Sequence, residues 1–420
     1  MEAGMTGGLF HPIKVISVDI SRGIPDVSMS DQGSGAYGGV FCLVRSGARP
    51  LRVVEFPFRG ETLSGEELLA RIGADESPDT KPAAHGPIND RPVSVVVATR
   101  DRVHSLSRCL DSLLDQTLQP REIVVVDNAP SSSQTADLIA GRYHATGRVR
   151  YLREDVPGLG RAHNAGLRLV SSEIVLFTDD DVIVDRHWVE AIAQNFDDAG
   201  KVGCVTGLIL PAELETRAQV WTERHGGFGK GFVRKIYDLA EYRPPDPLFP
   251  YAAGQFGSGA NMAFSKTALR YIGGFDSALG AGTLARGGDD LASFYAVLND
   301  GFQLVYEPGA IIWHHHRRSE EGMRRQAFGY GMGLGAYLTK VVRDEPRSIV
   351  RLLRALPAGF AHMVGPSAQK NMRLPADYPT ALIWLERLGI LAGTVGYFRS
   401  RGRHAGLVTA PAASREELAG

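Results

Sequence analysis

Cysteine is scarce in this 420-residue chain: Cys42, Cys109 and Cys204 stand far apart among apolar neighbours. That spacing excludes a disulfide framework and a cysteine zinc site, and it predicts reduced, buried thiols. An excess of charge of one sign is also missing. With 46 Lys and Arg against 47 Asp and Glu, the formal net charge is −1, so no global field draws nucleic acid or an acidic surface. The segment from Met1 to Phe10 has neither the basic start nor the apolar core of a signal peptide. No run of 18 uncharged apolar residues predicts a spanning helix. These absences predict a cytoplasmic protein, with any membrane contact peripheral and at the inner face.

What is present is an ordinary globular composition, 44% hydrophobic and 22% charged, over a length that predicts two or three domains. Residues 12–60 hold short β-rich runs such as Ile13 to Val18, Val40 to Val44 and Leu51 to Phe56, separated by Gly and Ser. They predict a small antiparallel sheet. Ser64 precedes a short helix as its N-cap, with Glu67 at the capping-box position. Residues 1–75 thus read as a β-rich accessory domain, and 76–91, polar and Pro-rich, as a linker.

At Pro92 the pattern changes. Val93 to Ala98 and Glu122 to Val126 are nearly continuous β-branched runs, the mark of strands buried on both faces of a parallel sheet. Helical segments, 103–116 and 160–170, alternate with them, which predicts a doubly wound α/β domain over 92–318 with right-handed crossovers. Its first half is about 92–185 and its second about 186–318. Helices follow over 319–405, and 406–420 reads as a disordered tail. In such sheets ligands bind at the C-terminal strand ends. Thr99-Arg100-Asp101, Asp127-Asn128 and Asp179-Asp180-Asp181 all fall there.

Three adjacent acids at the tip of a buried strand repel one another and call for a cation. Asp179 and Asp181, two residues apart, would point the same way on an extended strand end and could hold a hard divalent ion. A solvated acidic turn is the alternative. Asp289 and Asp290 open a helix, where the dipole favours acids even without function.

With these pieces in order, the chain resembles a family-2 glycosyltransferase of the GT-A fold. The motifs are Val95 to Arg102, Val124 to Asn128, Gly158 to Gly166, Phe177 to Val182, Gly273 to Asp276, Gly287 to Asp290, and Tyr306-Glu307-Pro308 with the run His314-His315-His316. They span about Pro92 to Tyr330, over half the chain. The resemblance implies an inverting, metal-dependent transfer of a sugar from a nucleotide-diphospho-sugar to an acceptor hydroxyl. A UDP-sugar is the first choice of donor, with dTDP or GDP after it. The acceptor is a sugar, a lipid-linked molecule or a small molecule, and no nucleic acid is involved.

By the same resemblance Asp179 and Asp181 hold Mn2+ or Mg2+, and Asp180 contacts the ribose or orients the motif. Thr99, Arg100, Asp101 and Asp127 form the nucleoside pocket. Arg161 and Asn164 meet the diphosphate or donor sugar. The family commonly has Arg where His163 stands, so a permanent cation is replaced by a titratable one. Asp290 is the general base with Asp289 beside it, since an inverting transfer needs a carboxylate to take the acceptor proton. Gly259, Asn261 and Asp276 lie on the acceptor side. His314 and His316 share a strand face, and His314, at the strand end, is the one assigned to the metal; an imidazole ligand favours manganese.

Two other readings carry different signatures. A nucleotidyltransferase would need a Gly-rich, Lys-bearing phosphate loop after the first strand, which Thr99-Arg100-Asp101-Arg102 is not. An inactive carbohydrate-binding scaffold would have lost the acids, which are all present. The C-terminal helices, with Arg324, Arg325, Arg351 and Arg354 near apolar residues, either rest on a membrane or form a solvated bundle.

Overall fold

A computed structural model describes residues 10–31, 35–73, 91–196, 200–225, 227–364 and 378–405. The expected linker, apart from Arg91, and the expected tail 406–420 lie outside the described residues.

The N-terminal layer is a sheet of β1 (Ile13–Asp19), β2 (Gly39–Ser46) and β3 (Arg49–Pro57), with β2 in the middle. It is not wholly antiparallel as the sequence predicts. The tight turn at Gly47-Ala48 makes β2 and β3 antiparallel, but β1 runs parallel to β2, Ile13 facing Gly39 and Asp19 facing Arg45. Residues 20–38 supply the length that a parallel return needs. Helix α1 (Gly65–Ile72) starts as expected, with Ser64 Oγ accepting from Glu67 N at 3.2 Å. Because strand side chains alternate, β2 is buried on both faces. Val40, Cys42 and Val44 pack with Met29, Leu63 and Leu68, while Phe41 and Leu43 pack onto Leu208, Leu210 and Ile311 of the main sheet.

The main domain runs β4 (Val93–Thr99), α2 (Val103–Leu114), β5 (Glu122–Asn128), β6 (Val149–Glu154), α3 (Leu159–Leu169), β7 (Ile174–Asp179) and β8 (Val182–Val184). It continues with α4 (Trp188–Ala193), β9 (Val202–Pro211), α5 (Arg217–Arg224), β10 (Lys235–Tyr237), β11 (Asn261–Ser265), α6 (Asp289–Asn299) and β12 (Gln303–His314). These nine strands form one mixed sheet in the order β6-β5-β4-β7-β11-β9-β12-β8, with β10 added on β12. Strands β6, β5, β4 and β7 are mutually parallel, and β11 is antiparallel to both its neighbours. The sheet is covered on both sides, which explains the unbroken β-branched runs. Val95, Val97 and Val125 meet α2 and Trp188 on one face, whereas Val96, Val124 and Phe177 meet Ala162, Ala165 and Phe294 on the other.

Two features of this topology build the site. Thr99 faces Asp127, and Asp179 faces Ala98, so the ends of β4, β5 and β7 lie together. From Asp179 the chain crosses within two residues to β8, whose Val182 faces His314 of β12. The segment Gln303–His314 is one continuous strand, β12. It bulges against β9 where Gly207 faces Glu307 and Leu208 faces Ile311, and the bulge carries the strand through Pro308.

Helices α7 (Glu320–Asp344), α8 (Ser348–Val364) and α9 (Thr380–Ala405) follow. α7 and α9 approach through glycine. A Cβ on Gly335 would lie 2.1 Å from Ile390 O, and one on Gly393 would lie 2.4 Å from Met332 O. Glu386 and Arg387 lie within α9; Glu386 faces His225 at 3.6 Å, and the Arg387 guanidinium lies over the Trp384 ring. Contrary to expectation, Thr380–Arg403 is long and apolar enough to cross a membrane by length and composition, because its arginines at 399, 401 and 403 cluster at one end and only Glu386 and Arg387 fall within its apolar stretch.

Candidate active site

The strand ends gather two groups of acids. In the first, ligand atoms of Asp179, Asp181 and His314 all lie within 4.8 Å of one another, with His314 Nε2 3.4 Å from Asp181 Oδ1. Asp180 points elsewhere: Oδ2 accepts from Thr99 Oγ1 at 2.7 Å and Oδ1 from Arg102 Nη1 at 3.0 Å. The same Arg102 nitrogen reaches Asp181 Oδ2 at 3.0 Å, and Arg317 Nη2 stands 3.6 Å from it. Burial, then the neighbouring Asp181 charge, push Asp179 up to about 7. Burial also opposes ionisation of Asp181, but His314 when it carries a proton on Nε2, then Arg102 and Arg317, outweigh it and hold that carboxyl below its ordinary range. Two carboxylate oxygens and an imidazole nitrogen are a donor set that suits a divalent ion of borderline softness. A cation would relieve the crowding that keeps Asp179 protonated. The residues fit a metal.

The second group sits at the N-terminus of α6. Gly288, with φ 85, turns the chain into the helix, and a Cβ there would strike Gly333 O at 2.4 Å. Only glycine lets α7 press against this turn. Asp290, partly exposed, accepts from Gly259 N at 2.9 Å and from Leu291 N at 2.8 Å. Asp289 is buried, and its Oδ2 faces His163 Nδ1 at 3.6 Å with neither atom hydrogen-bonded. Burial, then the Asp290 charge, push Asp289 up to about 8. Burial alone takes His163, packed against Phe177 and Phe275, down to about 3. The position is therefore not a titratable cation at neutral pH; it is a neutral ring.

The nucleoside-side residues fall where the sequence places them, at the ends of β4 and β5. Asp127 is fully buried; Oδ2 accepts from Tyr151 OH at 3.1 Å and Oδ1 has no partner. Asp101, at φ 54, accepts from Ser131 N at 2.9 Å, and Arg100 is exposed beside it.

Other expected site residues are engaged elsewhere. On α3, Ala162, His163, Ala165 and Gly166 face the sheet, so helical periodicity turns Arg161 and Asn164 to the outer side. There they line a cleft of about 470 Å³ with Arg168, Lys266 and Arg270. The Asn164 amide clamps the backbone of Phe275, at 2.8 Å to its oxygen and 3.0 Å from its nitrogen. Asn261 is turned into the sheet, donating to Leu208 O and Ala310 O and accepting from Trp188 Nε1. Asp276 is tied to the C-terminal helices by Tyr397 OH at 3.0 Å and Lys340 Nζ at 3.3 Å. Of the acceptor-side expectations Gly259 alone touches the acid pair. Sequence reasoning missed Arg102, whose place at the N-cap of α2, just past the end of β4, was the available signal, and Glu223, which no local signal could reveal.

A doubly wound mixed sheet that brings a metal-competent carboxylate pair and a separately held acid pair to one set of strand ends is the architecture of an α/β enzyme. Residues 94–273, the greater part of the main domain, match the model of glycosyl transferase family 2. The pre-mycofactocin glycosyltransferase of Mycobacterium tuberculosis is 25% identical over 298 residues, covering 71% of this chain and 58% of that protein. The glucosyl-dolichyl phosphate glucuronosyltransferase of Haloferax volcanii is 22% identical over 201 residues, 45% of this chain and 57% of that protein. The chain thus spans less than two thirds of the length of these relatives. A solved mannosyltransferase from Pyrobaculum calidifontis, in complex with GDP-Man and Mn2+, is similar at TM-score 0.45 and 19% identity, over 81% of this chain and 82% of that one.

Proposed function

We propose that the protein is an inverting glycosyltransferase that moves a sugar from a nucleotide-diphospho-sugar to an acceptor hydroxyl. The observation that carries this is the division of labour in the second acid pair. Asp289 is buried, and desolvation pushes its carboxyl up to about 8; burial raises Asp290 too, but that carboxyl is partly exposed and the N–H groups of Gly259 and Leu291 oppose the shift, which favours its ionised form over its neighbour's. Asp290 takes the acceptor hydroxyl's proton, and Asp289 with the neutral His163 keeps the floor beneath it uncharged. Asp179, Asp181 and His314 would hold Mn2+ or Mg2+, which when bound supplies Lewis-acid stabilisation to the departing diphosphate. Arg102 braces the acidic triplet through Asp180 and Asp181. The unpartnered Asp127 Oδ1 offers an acceptor to a base N–H or ribose hydroxyl, with Thr99, Arg100 and Asp101 around it; UDP is the first choice of nucleotide, dTDP or GDP the next.

The test is Asp290→Asn, which lowers turnover by about 10²–10⁴-fold while calorimetric binding of the nucleotide sugar stays unchanged. Wild-type turnover in that variant removes Asp290 as the base. The donor is identified by thermal stabilisation with a panel of nucleotide sugars and Mn2+.

The C-terminal helices support a cytoplasmic protein peripheral to a membrane, with a lipid-linked acceptor. Trp384, Leu388, Leu391, Val395 and Phe398 are all more than half exposed along one stripe of α9, and Ile349, Val350 and Leu353 are exposed on α8. In 346–364 and 378–405 the arginines at 347, 351, 354, 387, 399, 401 and 403 face one acid, Glu386. Apolar and cationic surface together suit an anionic interface. Co-sedimentation with anionic but not neutral liposomes is expected, and Leu391→Glu should abolish it.

A further inference from the structure

We infer that Glu223 and His316 are positioning residues, forming a carboxylate–imidazole–imidazole chain that leaves His314 Nε2 bare and aimed at a divalent ion. The inference rests on the reading of Asp179, Asp181 and His314 as a metal group.

The chain of contacts is continuous. Glu223 Oε2 lies 3.1 Å from His316 Nε2, and His316 Nδ1 lies 3.0 Å from His314 Nδ1. The far nitrogen of His314, Nε2, faces Asp181 Oδ1 at 3.4 Å. Proton bookkeeping then proceeds inward from the acid. An ionised carboxylate can only accept, so the Glu223 contact requires a proton on His316 Nε2. A neutral His316 then has a bare Nδ1. Two bare nitrogens would not face each other at 3.0 Å, so His314 supplies the proton from its own Nδ1. A neutral His314 protonated at Nδ1 has its lone pair on Nε2, the atom in the metal group. The 3.4 Å gap from Nε2 to Asp181 is longer than a good hydrogen bond, and an ion between the two would be ligated by both.

The surroundings hold this chain in place. His316 is fully buried in its side chain. The Phe228 ring packs at 5.3 Å from His314 and 5.7 Å from His316, fixing both ring planes. Helix α5, which carries Glu223, begins with a capping box between Thr216 and Gln219, and Gln219 Nε2 also reaches His316 O at 3.4 Å. The helix is therefore anchored at its start to the strand exit it serves two turns later. Outer partners of this kind orient a ligating imidazole and raise its basicity.

The experiment uses full-length protein. In the metal-free wild type labelled with ¹⁵N-histidine, long-range ¹H–¹⁵N spectra are expected to show His316 protonated at Nε2 and bare at Nδ1, with His314 protonated at Nδ1. A proton on His316 Nδ1 would overturn the inference, because it forces the His314 proton to Nε2 and closes that atom to metal. Mn2+ affinity is then read by electron paramagnetic resonance. The near-isosteric Glu223→Gln, whose amide can donate to His316 and so permits the reversed arrangement, should weaken binding by about 10–100-fold at an unchanged melting temperature. Weakening of less than threefold overturns the proposal. Should the wild type bind no Mn2+, the metal reading itself fails, and the nitrogen spectrum still decides the proton arrangement. Should Glu223→Gln not fold, the wild-type spectrum decides alone.

Discussion

At the triplet Asp179-Asp180-Asp181 the carboxylates crowd among Arg102, His314 and Arg317, whereas among the described residues no Lys or Arg pairs with Asp289 or Asp290. Both groups are largely desolvated, and burial alone would protonate both. What separates them is the kind of compensation. The triplet has two arginines against three acids, which leaves negative charge for a divalent ion to meet. In the Asp289-Asp290 pair burial raises both carboxyls against backbone N–H groups that oppose the shift, and Asp290, partly exposed and accepting from Gly259 and Leu291, is the better placed of the two to ionise. On the proposed reading the two acidic clusters serve different chemistry: one holds charge, the other moves a proton.

The sharpest way to break this comparison is to neutralise the second pair one acid at a time. Asp290→Asn should cost the 10²–10⁴-fold expected of a lost general base, and Asp289→Asn less than about tenfold, since an amide resembles a protonated carboxyl. Equal losses, read as kcat, would mean that the proton is shared. Next in size is Asp181→Asn. Removing one of three donors should weaken Mn2+ binding by at least the roughly 10–100-fold that losing an outer partner costs, and calorimetry that finds unaltered affinity would return the triplet to an acidic turn.

The third expectation concerns stability. The Asp289 carboxyl rises from 3.8 to about 8 on folding. Below 3.8 both folded and unfolded chains hold the proton. Between there and about 8 the unfolded chain releases a proton that the folded chain keeps, so stability falls as pH rises through that window, and above it the loss is complete. Asp289→Asn should therefore raise the melting temperature over wild type at pH 8, by about 2–4 °C per kcal/mol, and leave it nearly unchanged at pH 4. A difference that is constant with pH would show Asp289 ionised in the fold. The smallest effect belongs to Arg317, 44% exposed and 3.6 Å from Asp181. An exposed pair of this kind is worth about 0–1 kcal/mol, so Arg317→Gln should tighten Mn2+ binding by no more than about fivefold as a competing cation leaves.

Much of this site is legible in the chain itself. The β-branched runs announce strands buried on both faces, and the polar residues that end them, Thr99, Asp127 and Asp179, mark one sheet edge. The pairing of Asp181 with His314 is what the resemblance implies; by pattern alone Asp181 precedes the run Val182-Ile183-Val184, while His314 ends one. Arg161 and Asn164 show where motif spelling misleads: a recognised run says nothing about which helix face a member takes, and Ala162, His163 and Ala165 claim the sheet side. Asn261 and Asp276 show a second limit. Their polar groups meet Trp188 and Tyr397, 73 and 121 residues away, and no local pattern indicates that such partners have used them up.

The amino-acid order by itself determined that acids would gather at the ends of parallel strands, because strand propensity and the period of two are local properties. Which acid keeps its proton, and which nitrogen of His314 stays bare, were decided only in the folded chain. Protonation depends on desolvation and on partners within a few ångströms, and here those are supplied by distant segments: Glu223 lies 93 residues from His316, and Gly259 lies 31 from Asp290. A carboxylate's neighbours in space, not in sequence, set its charge.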